Sequence, residues 1–208
     1  MPSNGLVMFD MDGVLVDVGG SYREVVRMSV FLYLRDVIGV ALESDRFITR
    51  RDVGAIKKQG GLNNDWDLTG CIINLVLRVL IDPMLLVGGE QARNLQSAGD
   101  DATALRLARE LASGAAGSGR LARIPSRLLE TPPGLLYERA GEAGPGRSPL
   151  LLDQGDVGTG NLVKRLFQEL YLGGELFLRT YGEHPLVYDG PGYIEREWLI
   201  PSGEEVEL

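Results

Sequence analysis

The chain has 208 residues, 44% hydrophobic and 24% charged, with a formal net charge of −8, enough for a well-cored protein of one or two domains. Its single cysteine, Cys71, excludes an intramolecular disulfide, and with only one histidine, His184, a Cys/His zinc cluster is excluded as well. The acidic balance, without an evident basic patch, argues against nucleic acid as a partner, since that binding rests on phosphate neutralisation by Lys and Arg.

Residues 1–5 carry neither a basic start nor an apolar stretch, so no secretory signal is read and a cytoplasmic location is expected. Leu6, Val7, Met8 and Phe9 form a short apolar run that ends in Asp10; Asp12 and Gly13 follow, then a second apolar group at Val14, Leu15 and Val16. The pattern predicts a buried strand delivering two carboxylates at its C-terminal end, where open α/β sheets place their ligands. A lone Asp-x-Asp would read as an acidic turn. The ordered combination of strand, acids, glycine and second apolar group points to chemistry instead.

Over Phe9-Asp10-Met11-Asp12-Gly13-Val14-Leu15-Val16-Asp17 the chain resembles the haloacid dehalogenase superfamily, whose first motif is an apolar strand followed by D-x-D-G-[TV]-L. The resemblance implies an α/β fold: a Rossmannoid core, here represented by its first strand, with the large, mainly α-helical cap of subfamily I. It implies Asp10 as the nucleophile that accepts a phosphoryl group and Asp12 as the acid that protonates the leaving group and then activates water. It also implies Mg²⁺ held by Asp10 and by the backbone carbonyl of Asp12, and a small phosphorylated metabolite as substrate. The chemistry is consistent, because a carboxylate is a competent phosphoryl acceptor and a second carboxyl can act as acid, then base. A hard cation is needed between two approaching anions. A phosphomutase shares the motif, so that activity stays open beside phosphatase.

Further along, Ser21 followed by Glu24 predicts a capping box, with a helix from Tyr22 that ends before Gly39. A second helix is expected over residues 52–59, stopped by Gly60 and Gly61, and a long apolar one over residues 67–81. Arg78, Asp82 and Pro83 interrupt the apolar stretch 71–87, so a buried helix is expected there rather than a membrane span, with Cys71 as a core residue. Between these two helices, Asn63, Asn64 and Asp65 are candidates to reach substrate from the cap; they also fit a turn that caps the next helix. The G-G-x-N-N-D-W segment, together with residues 162–174 and 190–197, is similar to one subfamily of the superfamily, some members of which are joined to a histidinol-phosphate aminotransferase.

Residues 101–112 predict a helix capped by Asp100 or Asp101, followed by a Gly/Pro-rich insertion at about 113–149. Residues 161–172 predict another helix, with Thr159 as a possible cap and Gly173-Gly174 as its stop; His184 reads as an ordinary exposed residue. Residues 193–200 read as extended, and Ser202 as the cap of a following helix. The expected organisation is core strand and catalytic loop at 1–19, helical cap at 20–190, and a segment returning toward the core at 191–208.

The resemblance further requires a Ser or Thr ending a second core strand, a phosphate-binding Lys and an acidic pair, and these are not found after the cap. Lysine is confined to Lys57, Lys58 and Lys164, against eighteen arginines. Asp100 and Asp101 follow a polar stretch and suit a helix cap. Leu150, Leu151 and Leu152 before Asp153 and Asp156 suit a strand delivering acids, but no Lys-bearing strand precedes them. The chain is therefore expected to hold the first strand and cap of a larger enzyme, with self-association or a partner chain completing the core. The alternative is a non-catalytic helical interaction module, or a remnant lacking the downstream motifs.

Overall fold

The computed structural model describes residues 15–18, 20–58, 62, 64–84, 89–113, 121–130 and 146–199. The expected strand at 6–9, Asp10, Asp12, Asn63, residues 114–120 and 131–145 of the Gly/Pro-rich insertion, and the cap at Ser202 lie outside the described residues.

Within them the architecture is mixed α/β, a large helical body with a small sheet. Strand β1 (Val16–Asp17) pairs antiparallel with β2 (Trp198–Leu199), Val16 opposite Leu199 and Asp17 opposite Trp198. Between them run α1 (Tyr22–Leu32), α2 (Arg50–Lys57), α3 (Asp65–Val76), α4 (Gly89–Gln96), α5 (Asp101–Ala112), α6 (Ser126–Leu129), α7 (Leu162–Leu172) and α8 (Gly174–Tyr181). The chain thus enters and leaves the helical body at one two-stranded ribbon, although 180 residues separate Asp17 from Trp198 in sequence.

The burial pattern follows the composition of each helix. Leu68, Ile72, Ile73 and Val76 are fully buried, and Cys71 is 1% exposed, so α3 is apolar on every side and lies at the centre of the bundle. Amphipathic α1 and α7 pack against α3 and against each other, burying Val26 and Val30 of α1 and Val163, Leu166 and Phe167 of α7 in the shared core. Each such side chain, fully buried, contributes roughly 1.5–3 kcal/mol. The one buried amide in α3, Asn74, is satisfied: it donates to the Gly146 carbonyl at 2.7 Å and accepts from the Ser148 N–H at 2.8 Å. Among the described residues no helix is long and apolar enough to cross a membrane.

Several helix ends differ from expectation. The Ser21 hydroxyl donates back to the Val18 carbonyl at 3.1 Å and makes no cap bond, because Glu24 is drawn away by two arginines. The capping box forms instead on α2, where Thr49 and Asp52 bond reciprocally, so that helix starts at Arg50. On α7 the cap is Asn161, whose side chain accepts the Lys164 N–H at 2.9 Å; Thr159 serves the preceding turn by bonding Asp156. Gly173, at φ +77°, ends α7 as expected, but α8 begins at once. Residues 193–196 form a 3₁₀ turn before β2 rather than extended chain.

Residues 150–152 also depart from the expected strand. All three leucines are buried, yet the segment pairs with a side chain: the Tyr33 hydroxyl donates to the Leu150 carbonyl at 2.7 Å and accepts the Leu152 N–H at 3.0 Å. A single tyrosine supplies the donor and acceptor that a neighbouring strand would have supplied.

Candidate functional site

Of the residues singled out by sequence, Asp10, Asp12 and Asn63 lie outside the described residues, and Asn64 and Asp65 fall at the start of α3. The Asn64 side chain accepts the Trp66 N–H at 2.9 Å and so caps the helix. The Asp65 carboxylate pairs with Lys57 Nζ at 2.7 Å, tying α3 to the end of α2. Among the described residues no group of three or more His, Cys, Asp or Glu could hold a metal ion.

Where the ribbon joins the helical body, three polar side chains meet. Tyr22, the first residue of α1, stacks on Tyr171 of α7 with ring centroids 5.0 Å apart, and its hydroxyl lies 3.3 Å from that of Tyr171. Tyr171 in turn donates to Glu197 at 3.4 Å, next to β2. Burial pushes the Tyr171 phenol above its ordinary range, and the neighbouring Tyr22 and Glu197 add to the shift. The second carboxylate oxygen of Glu197, Oε1, is buried without a hydrogen-bond partner among the described residues. This cluster ties the start of α1 to α7 and to the residue that precedes β2.

Arg23, one residue into α1, opens onto a groove of about 540 Å³ whose other cations come from Arg50, Arg51 and Lys57 of α2 and from Lys58 at its C-terminal cap. Its floor is the small side of α2 at Gly54 and Ala55. Beneath the groove Glu24 is buried and holds Arg27 Nε at 2.9 Å and Arg50 Nε at 2.6 Å. Burial by itself would raise the Glu24 carboxyl, but hydrogen bonds and charge from Arg27 and Arg50 outweigh it, and the net shift is downward. The sequence lacks a basic run, yet the packing of α1 on α2 assembles a basic patch. A signal existed: residues 50, 51, 57 and 58 fall on one side of the helix, with buried Val53 at its border and Ile56 turned away from it. Starting the helix at Asp52 hid it.

A second charged assembly is structural. Arg165, 2% exposed, bonds Asp101 at 2.8 Å, Glu169 at 2.9 Å, Glu183 at 2.6 Å and the His184 carbonyl at 2.7 Å. Asp101, expected only as a helix cap, accepts the Gly158 and Gly160 N–H groups and thereby pins the loop before α7; Asp100 caps α5 by accepting the Thr103 N–H. The His184 side chain is exposed as expected, while its backbone is held.

No family model matches the chain, and no curated protein matches it. Its fold does match that of a crystal structure solved as Northeast Structural Genomics Consortium target ZR25, with TM-score 0.60 and 18% identity over 95% of this chain and 57% of that one. A looser match, with TM-score 0.42 and 20% identity over 92% of this chain and 53% of the other, is to phosphatase Tt82 from Thermococcus thioreducens. The chain therefore spans little more than half the length of the solved structures it matches.

Proposed function

We propose that the chain contributes the nucleophile-bearing segment and the substrate-covering helical body of a Mg²⁺-dependent phosphohydrolase of the haloacid dehalogenase superfamily, acting on a small phosphorylated metabolite. The single observation that carries the reading is the uninterrupted run from Leu6 to Asp17, with Asp10 and Asp12 set directly before the helical body. Asp10 would attack phosphorus while the bond to the leaving oxygen breaks and Asp12 gives that oxygen a proton. Asp12 would then take a proton from water as the water oxygen displaces Asp10 from phosphorus, releasing phosphate. Bound Mg²⁺ would supply charge neutralisation between Asp10 and the phosphoryl oxygens, held by the Asp10 carboxylate and the Asp12 carbonyl. Asn63, Asn64 and Asp65 are the residues offered to substrate from the helical side.

A second reading, a helical interaction module that does no chemistry by itself, has its own support. Among the described residues the sheet has only two short strands and no metal-holding group is present, and the later motifs required by the resemblance are not found in the sequence. On these grounds residues 20–199 are read as the binding part, with catalysis dependent on a core completed by a partner chain, by self-association or by further sequence. Mg²⁺ titration of this chain separates the two readings. Tight one-to-one binding supports a catalytic centre already assembled; no binding supports the module.

A further inference from the structure

The groove between α1 and α2 is built against the ordinary preferences of a helix. It is lined by Arg23, Arg50, Arg51, Lys57 and Lys58, and among the described residues no acidic side chain lines it. Two of the five are neutralised, Arg50 by Glu24 at 2.6 Å and Lys57 by Asp65 at 2.7 Å. Arg23, Arg51 and Lys58 have no ion pair or hydrogen bond among the described residues and are exposed. A solvated helix face usually intersperses acids with bases at i, i+4 spacing, because like charges there repel. Here two of the chain's three lysines share one face with two arginines, in a protein of net charge −8. Arg50 and Arg51 also occupy the first turn of α2, where the helix dipole disfavours cations. Lys57 and Lys58 suit the helix end; Arg50 and Arg51 do not suit its start. Arg50 is offset by its ion pair with Glu24, whereas Arg51 has no such partner among the described residues, and a bound anion would supply one.

We propose that this groove binds a phosphoryl or pyrophosphoryl group, and that in the substrate it holds a second phosphate remote from the one transferred. The second-phosphate role rests on the phosphohydrolase reading; the anion site rests on the groove alone. Arg23 and Arg51 present planar forks suited to two phosphate oxygens each, and Lys58 adds a point charge. The recess concentrates their field on a small anion. The space over Gly54 is open, since an added Cβ there would meet nothing within 4 Å. The substrate class implied is a small metabolite carrying two phosphoryl groups.

The test is calorimetric titration of the full chain with inorganic pyrophosphate in the presence of a chelator, so that no Mg²⁺-dependent site is loaded. The expected result is one-to-one binding that falls at least tenfold in the Arg51→Gln/Lys58→Gln variant and equally in Gly54→Glu, which places a carboxylate in the recess. Lys164→Gln, which removes a cation on α7 outside the groove, should bind as the parent does. Thermal melts of each variant establish that it is folded. Absence of binding, or affinity retained in both groove variants, overturns the proposal. Asp10→Asn should leave pyrophosphate binding intact; turnover that survives in Asp10→Asn would remove the phosphohydrolase reading and leave the anion site standing.

Discussion

Arg165 and Glu169, one turn apart on α7, form an ion pair at 2.9 Å in which the Glu169 side chain is completely buried. The same carboxylate accepts the backbone N–H groups of Leu186, Val187 and Tyr188 at 2.8, 3.0 and 3.0 Å, so one side chain shapes the loop that leads back to the ribbon. Glu169→Ala leaves a buried guanidinium short of an acceptor and three backbone donors unmet. A loss of about 3–5 kcal/mol is expected, read by urea unfolding.

Gly173 and Gly192 bring two backbone segments into direct contact. A Cβ on Gly173 would stand 2.3 Å from the Gly192 nitrogen, and the residue adopts φ +77° and ψ 166°, a conformation all but reserved for glycine. Gly173→Ala should destabilise the chain by about 1–3 kcal/mol or more, from strain alone. A melting temperature equal to the parent's would contradict this account of the contact.

These two relationships mark what the sequence conceals. The helices over 101–112 and 162–172 and the buried apolar helix around Cys71 were legible, because each rests on local periodicity and a cap within a few residues. Helices α4 and α8 were not. The first lies in a polar stretch whose one fully committed core residue is Leu95, and the second begins on the glycine pair that reads as a stop. The partners of Arg165 are likewise beyond sequence reading, since Asp101 is 64 positions away. The cationic groove needed Arg23 and α2 side by side, a fact of packing.

Glu24 predicts a pH dependence. Its carboxyl titrates below the ordinary 4.5 in the folded chain, so its contribution to stability is complete above that value and is lost as pH falls through the folded pKa. Glu24→Gln should be less stable than the parent at neutral pH, with the difference shrinking under acid. A difference that stays constant, or widens, on acidification would contradict the assigned direction.

Position 54 offers a gain. Gly54 is interior to α2, and an added Cβ meets nothing within 4 Å, so Gly54→Ala should raise stability by about 0.5–1 kcal/mol. Denaturant midpoints compared at a common slope decide it.

Cys71 is buried in α3, and burial pushes its thiol up to about 12. The native chain should resist a thiol-directed reagent at mildly alkaline pH and react quickly once unfolded in urea. Rapid labelling of the folded chain would place Cys71 outside the core.

The central claim is that phosphoryl transfer passes through Asp10. Its most direct test is to quench the protein during turnover of a phosphate monoester with Mg²⁺ and map the phosphoryl adduct by peptide mass spectrometry. The account predicts an acyl phosphate on Asp10, with no adduct and no phosphate release in Asp10→Asn. Phosphate release that continues in Asp10→Asn, or an adduct on another residue, would contradict it.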